Sequence, residues 1–287
     1  MQRVLVTGAD GFTGRVLDPL LAARGWQVVG LRGPQGPDLL DLPALRAFVR
    51  EAQPQAVVHL AGISFVAHDD VKAIYDANVV GTRNLLQSLH EACTTAPRQV
   101  ILASSANIYG NSTHEPIGED APPQPANDYA VSKLAMEFAA SLWRDRLPIT
   151  VVRPFNYTGR GQAISFLVPK IVEAFRRRAE TIELGNLEVE RDFTDVRDVA
   201  DVYVRLLDAA PGGVLNICSG RAISLREMLA MAQEISGQRL EVRVNPAFVR
   251  ANEVRRLRGD NARLLQRLPG WQPRPLRETL AWMLADS

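Results

Sequence analysis

Between residues 3 and 154 short apolar runs alternate with stretches of helical period, and few architectures accommodate that order. RVLVT is followed by a helical pattern over 11 to 24, QVVGL by one over 42 to 52, AVVHLA by one over 70 to 92 and QVILAS by one over 128 to 146; ITVVRP closes the series. Runs so uniformly apolar suit strands buried on both faces, and strands joined through helices run parallel. The expectation is an α/β fold, a Rossmann-type doubly wound parallel sheet with right-handed crossovers. Beyond Pro154 the pattern loosens. It predicts a helix near 164 to 178, a strand at TIEL, a polar stretch to FTDV, a helix over 197 to 209 and a strand at VLNIC. A helix near 224 to 236, a strand at LEVRV and short helices after 260 and 275 follow. No low-complexity linker intervenes, so the later part should pack closely on the first.

The first strand-to-helix junction reads GADGFTG, with Gly8, Gly11 and Gly14 in the strand, turn and helix context that a dinucleotide fingerprint needs. Gly8 permits the tight turn, Gly11 lets the backbone approach a pyrophosphate, and Gly14 lets helix and strand pack closely. The helix N-terminus offers unpaired N–H groups to the anion. Phe12 and, at the end of AVVHLAG, Leu60, Ala61 and Gly62 are expected to complete the cofactor site. An NAD site normally carries Asp or Glu at the end of the second strand, whereas QVVGLRG ends at Arg32. A guanidinium suits a 2′-phosphate, so NADP(H) is the favoured cofactor and NAD(H) the alternative. The bland reading of Arg32 is a solvated loop charge. Asp38 and Leu39 are candidates for the adenine edge.

Tyr129 and Lys133 stand four residues apart in YAVSK and share one face of the helix expected there. The ammonium is expected to lower the phenol's pKa from about 10 toward neutrality, making Tyr129 a usable acid or base. Ser105 follows QVILAS, at the carboxyl end of a parallel strand, where open α/β sheets place their ligands. Its hydroxyl can hydrogen-bond a reacting oxygen. Asn78 could hold a water beside Lys133, or simply cap a helix. Each residue alone has a structural explanation; together they can move a hydride and a proton across a C–OH/C=O pair. Lys occurs only at 72, 133 and 170 in a chain rich in Arg, which agrees with a need for an ammonium at 133.

With GxxGxxG, AVVHLAG, Asn78, Ser105 and Tyr129-x-x-x-Lys133 in order, nearly the whole chain resembles the extended short-chain dehydrogenase/reductases, the NAD-dependent epimerase/dehydratase family. VVRPFNYTGRGQ, GNLEVERDFTDVRDVADVY, NICSG and RANEVRRLRGDNARL followed by GWQPR are similar to its sugar-nucleotide members, above all the GDP-4-keto-6-deoxy-D-mannose reductases and the GDP-mannose 4,6-dehydratases. The resemblance implies a nucleotide-diphosphate sugar, GDP-linked in preference. It places Asn156 and Arg191 at the diphosphate, Arg250 and Glu253 at the diphosphate and ribose, and Lys170 at the nucleotide. Guanidinium groups do suit a diphosphate, and a carboxylate suits a ribose diol. Arg255, Arg256 and Arg258 read better as a solvated face. The expected division is a dinucleotide-binding unit of 1–155 and 190–217, and a smaller, partly interleaved nucleotide-sugar-binding unit of 156–189 and 218–287. A homodimer through helices 70–92 and 128–146 is also implied, although Ile74, Leu85, Leu86, Leu134, Phe138 and Leu142 would serve equally as core.

Position 107 separates the neighbours. A 4,6-dehydratase also removes a C5 proton and expels the C6 hydroxyl, and its family carries a carboxylate two residues beyond the active Ser or Thr. Here that place holds Asn107, an amide that cannot act as acid or base. The expected reaction is NADPH-dependent reduction of the 4-keto group of a nucleotide-linked 4-keto-6-deoxyhexose, GDP-4-keto-6-deoxy-D-mannose to GDP-D-rhamnose, with Asn107 among the substrate contacts. The rival enzymes are a nucleotide-sugar 4-epimerase, 4,6-dehydratase or decarboxylase with retained NAD. A non-catalytic NADP-binding regulator, which usually lacks the Tyr or the Lys, is the rival of another class.

The 33 basic and 32 acidic residues nearly cancel, which disfavours nucleic acid or an anionic membrane as partner. Cys93 and Cys218 read as buried thiols of a reduced protein. With a start already inside a strand pattern and no apolar run of membrane-spanning length, a cytoplasmic protein is expected. His59, His68, His90 and His114 lack metal-ligand spacing, so no metal is expected, and His59 reads as a satisfied core residue.

Overall fold

The computed structural model describes residues 2–33, 36–64, 70–209, 212–248 and 254–285. In chain order, β1 (Gln2–Thr7), α1 (Phe12–Ala23), β2 (Trp26–Leu31), α2 (Leu42–Ala52), β3 (Ala56–His59), α3 (Val71–Tyr75), α4 (Gly81–Ala92), β4 (Gln99–Ala103), α5 (Asp128–Ser141) and β5 (Ile149–Pro154) follow the expected alternation. The later part contains β6 (Asn156–Thr158), α6 (Leu167–Arg176), β7 (Thr181–Leu184), β8 (Glu190–Asp195), α7 (Val196–Ala209) and β9 (Gly213–Ile217). It ends with β10 (Ala222–Ser224), α8 (Leu225–Ser236), β11 (Glu241–Val244), β12 (Arg256–Leu257), α9 (Ala262–Arg267) and α10 (Leu276–Leu284).

The central six-stranded sheet runs β2-β1-β3-β4-β5-β9, every pair parallel. Successive side chains point to opposite faces, and they divide between two core clusters with that period. Val4, Val6, Val58, Ile101 and Val152 pack with α1 and α7. Leu5, Val57, Val100, Leu102 and Val151 pack with α2, α4 and α5 on the other face. Both faces are therefore dry, which is why these strands read as unbroken apolar runs. Local chemistry starts the helices: Asp41 accepts from Ala44 N at 3.0 Å ahead of α2, and Asn127 accepts from Ala130 N at 2.9 Å ahead of α5.

Two expectations change. The single helix foreseen over 70 to 92 is interrupted at Asp76–Val80 by a π-helical turn that carries Asn78. Such bulges recur at functional sites because the extra residue re-aims one side chain. The polar stretch before FTDV contains a strand: β8 pairs with β6, β10 and β12. Its sequence ERDFTD hid it, since Asp192 is satisfied from afar and Asp195 by both Arg197, Nη2 to Oδ2 at 2.6 Å, and a distant threonine. Asp192 accepts from Ser219 N at 2.8 Å and Gly220 N at 2.9 Å, and Asp195 accepts from Thr279 Oγ1 at 2.8 Å. A further apolar cluster joins α6, α8 and α10 with β7 and β11. Ile74, Leu85 and Leu86 are core, whereas Phe138 and Leu142 stand 66% and 77% exposed on the outside of α5.

Candidate active site

From β1 the strand order runs outward to β2 and then back across to β3, so ligands are expected where the carboxyl ends of β1 and β3 part. A cleft of about 1940 Å³ opens there. Ordinary ligand pockets hold about 300–1,000 Å³, so this one has room for two large ligands side by side.

At the near end Gly8 has φ +67°, and a Cβ on it would lie 2.9 Å from Ala61 N, so the turn backs directly onto the end of β3. A Cβ on Gly14 would lie 2.4 Å from Gly8 O, which makes α1 pack on the turn without a spacer. Gly11 caps α1 with no side-chain hydrogen bond, leaving the N-terminal N–H groups for an anion. These bare backbone surfaces fit a dinucleotide pyrophosphate. Phe12, Leu60, Ala61, Gly62, Asp38 and Leu39 all line the same cleft. Arg32 is turned away from it onto Asp18, Nη2 to Oδ2 at 2.6 Å, with 41% and 34% of the two side chains exposed.

Tyr129, Lys133 and Ser105 meet at the middle of the cleft. Burial pushes the Tyr129 phenol up to about 12, and hydrogen bonding with the Ser105 hydroxyl offsets only part of that rise. Lys133 Nζ donates to Ala103 O at 2.9 Å, and burial pushes it down to about 8 against an opposing pull from Glu137. The expected acidification of Tyr129 by Lys133 is thus not met: burial dominates the phenol, and the amine is aimed at the end of β4. Tyr129 is a neutral phenol, equipped to give a proton rather than take one.

Asn78 is buried and fully engaged. Its Oδ1 accepts from Ile63 N at 3.0 Å, and its Nδ2 donates to Ser132 Oγ at 2.9 Å and to Ile63 O at 3.2 Å. Ser132 in turn donates to Tyr129 O at 2.7 Å, so the bulge holds the first turn of α5. Gly62 lets the loop after β3 come this close, since a Cβ there would lie 2.4 Å from Asn78 Oδ1. His59 bridges Thr7 and Thr82 at 2.6 and 2.9 Å, and burial together with Lys133 lowers it to about 3; it is a core residue, as expected.

At the far end Asn156, Lys170 and Arg191 line the cleft, and Asn107 lies beside Ser105. Lys170 Nζ donates to Glu183 O at 2.8 Å and stands 4.6 Å from the centre of the Phe248 ring. Arg191 Nη1 donates to Glu190 O at 2.8 Å. Arg250, Glu253 and His68 lie outside the described residues. Arg256 and Arg258 are more than a solvated face: Arg256 pairs with Glu190 at 3.0 Å, and Arg258 Nε donates to Gly220 O at 2.9 Å. Two features escaped the sequence reading. Tyr157 lines the cleft, hydrogen-bonded to Thr13 at 2.9 Å and stacked on Phe12; its place beside Asn156 was the available signal. Glu137 sits four residues beyond Lys133 and binds Ser104 Oγ at 2.5 Å, a helical spacing that could have suggested it.

The NAD dependent epimerase/dehydratase family matches residues 4–218, and this chain belongs to it. GDP-6-deoxy-D-talose 4-dehydrogenase of Aggregatibacter actinomycetemcomitans is 37% identical over 265 residues, spanning 92% of this chain and 90% of that protein. GDP-6-deoxy-D-mannose reductase of Pseudomonas aeruginosa is 37% identical over 298 residues, spanning 99% and 97%. The solved structure of RMD from Pseudomonas aeruginosa complexed with NADPH has a TM-score of 0.89 and 36% identity, covering 99% of this chain and 98% of that one.

Proposed function

We propose that the protein is an NADPH-dependent reductase that converts GDP-4-keto-6-deoxy-D-mannose to GDP-D-rhamnose. The observation that carries the reading is the meeting of Ser105, Tyr129 and Lys133 in the cleft, with an amide at position 107 where dehydration needs a carboxylate. Two relatives, each 37% identical, are named for GDP-6-deoxyhexoses. Those two sugars differ only in configuration at C4, the carbon that a 4-ketone reductase sets. The similar structure with NADPH supports the cofactor.

Bound NADPH would supply the hydride to C4. Gly8, Gly11 and Phe12 would hold its pyrophosphate end, Leu60 to Gly62 its middle, and Asp38 with Leu39 its adenine. Arg32 would leave Asp18 for the 2′-phosphate. Tyr129 gives its proton to the C4 oxygen, and burial ensures that the proton is still on the phenol when substrate arrives. Ser105 orients that exchange, Lys133 would bond the nicotinamide ribose as an ammonium, and Asn78 keeps the first turn of α5 in place. Asn156 and Arg191 would meet the diphosphate, Arg250 with Glu253 the diphosphate and ribose, and Lys170 the nucleotide.

The division into a dinucleotide-binding unit of 1–155 and 190–217 and a sugar-nucleotide unit of 156–189 and 218–287 is part of the proposal, as is a homodimer through α4 and α5. So is a cytoplasmic location, which rests on the free thiols Cys93 and Cys218.

The test is incubation of the purified enzyme with GDP-4-keto-6-deoxy-D-mannose and NADPH, with NADPH oxidation followed and the product identified by NMR. One NADPH oxidised per GDP-D-rhamnose formed is the expected result. Epimerisation without net oxidation, by protein that keeps NAD through gel filtration, would establish the epimerase rival. Tight NADPH binding without turnover of GDP-, dTDP- or UDP-linked sugars would leave the regulator.

A further inference from the structure

Ser105 stands at the junction between β4 and a short 3₁₀ turn, Ala106–Tyr109, whose N-terminus its side chain caps. Its Oγ accepts two hydrogen bonds from one residue, the backbone N–H and the side-chain Nδ2 of Asn107, each at 3.2 Å. A serine hydroxyl has two acceptor lone pairs and one proton. With both lone pairs engaged, the proton is left to be donated on the cleft side, where the Tyr129 phenol is its hydrogen-bonding neighbour. Asn107 is half-buried and lines the same cleft.

We infer that Asn107 is a positioning residue: by filling the second lone pair of Ser105 it commits that hydroxyl to donate into the cleft, so the Tyr129 proton stays free for the substrate. The inference rests on the proposed reduction and replaces the expectation that Asn107 serves as a substrate contact. The direction of the Ser105 bond matters because the proton must pass from Tyr129 Oη to the C4 oxygen as hydride reaches C4. If Ser105 instead accepted from Tyr129, the phenol proton would point at Ser105 and would have to turn before transfer. A bond donated by Ser105 also stabilises the tyrosinate that remains, until it is reprotonated from water. A carboxylate at 107 would reverse this arrangement, since an ionised carboxylate only accepts and would draw the Ser105 proton to itself.

The isosteric Asn107→Asp and the truncating Asn107→Ala separate direction from packing. Asn107→Ala removes one neutral hydrogen bond and should lower kcat by about three- to tenfold. Asn107→Asp diverts the donor and should lower kcat by about a hundredfold, as loss of a donor to a reacting oxygen does. NADPH affinity should not change in either. In a Ser105→Ala background neither substitution should lower kcat further, because the group through which Asn107 acts is gone. An Asp variant faster than the Ala variant would reduce Asn107 to packing, and a loss that persists without Ser105 would make it a direct substrate contact; either result overturns the inference. The wild-type rate tests the reduction separately. Should the wild type reduce no keto sugar, a crystal structure of Asn107→Asp still decides. Ser105 Oγ should close to about 2.6 Å from the new carboxylate and release Tyr129. An unchanged Ser105 against Tyr129 would refute the assignment.

Discussion

Glu137 and Arg153 form a two-point ion pair inside the protein, Nη2 to Oε2 at 2.7 Å and Nε to Oε1 at 3.0 Å, with about a tenth of each side chain exposed. Arg153 also donates to Tyr109 Oη and Glu119 O, each at 2.8 Å, and Glu137 also accepts from Ser104. The residue before Ser105 is thereby tied to the helix that carries Tyr129 and Lys133. Removing one partner strands a buried charge, which costs about 3–5 kcal/mol. Arg153→Met should therefore lower stability by that order in urea unfolding, and the double change Arg153→Met with Glu137→Met should recover much of the loss. A single variant as stable as the wild type would show that the pair is not buried in solution.

Tyr129→Phe keeps the ring and removes the proton. It should lower kcat by about two to four orders of magnitude, the usual share of a general acid, and leave NADPH binding unchanged in a fluorescence titration. A Phe variant of near wild-type rate would take Tyr129 out of the reaction.

Lys133 titrates near 8 in the fold because burial disfavours its charge, against 10.5 for an ordinary lysine. Below about pH 8 both folded and unfolded chains carry the ammonium, so the cost of burying it is fully present. Between about 8 and 10.5 the unfolded chain binds more protons, and stability rises with pH. Lys133→Met should be more stable than the wild type at pH 7, by a margin that shrinks toward pH 10. In the wild type kcat/KM should fall above about pH 8 as the ammonium is lost, and Lys133→Arg should move that fall to higher pH. A limb at the same pH in the Arg variant would assign it to another group.

The pair between Arg32 and Asp18 is half-exposed, and such pairs contribute about 0.2–1 kcal/mol. A hydrogen bond to a charged group is worth about 1.5–3 kcal/mol, so a 2′-phosphate should win the guanidinium from Asp18. Arg32→Ala should weaken NADPH roughly tenfold and leave NADH unaffected, whereas Asp18→Asn should tighten NADPH slightly. Equal losses for both cofactors would mean that Arg32 only supports the loop.

Phe138 and Leu142 lie one turn apart on the outer face of α5, more exposed than any other large apolar side chain in the described residues. Burial against a second copy would remove that surface from water. Light scattering should give a dimer for the wild type and a monomer for the Phe138→Ser, Leu142→Ser double variant. A monomeric wild type would dispose of the dimer.

The parallel sheet and the cofactor turn were legible because their determinants are local. Burial of both faces of β1, β3, β4 and β5 shows as apolar runs, and the spacing of Gly11 and Gly14 from Gly8 reports backbone contacts with Gly8 O made within a few residues. The spacing of Tyr129 and Lys133 likewise needed only the pitch of one helix.

What the chain's order of residues determined, then, was the architecture and the kinds of chemical group brought to the crevice. Only the tertiary structure decided the state of those groups. Burial, not the neighbouring amine, sets the Tyr129 proton; Arg32 finds Asp18; β8 survives as a polar strand because residues 219, 220 and 279 satisfy its carboxylates. Periodicity is written in adjacent residues, whereas desolvation and the choice of hydrogen-bond partner depend on which distant parts of the chain come to lie against a side chain.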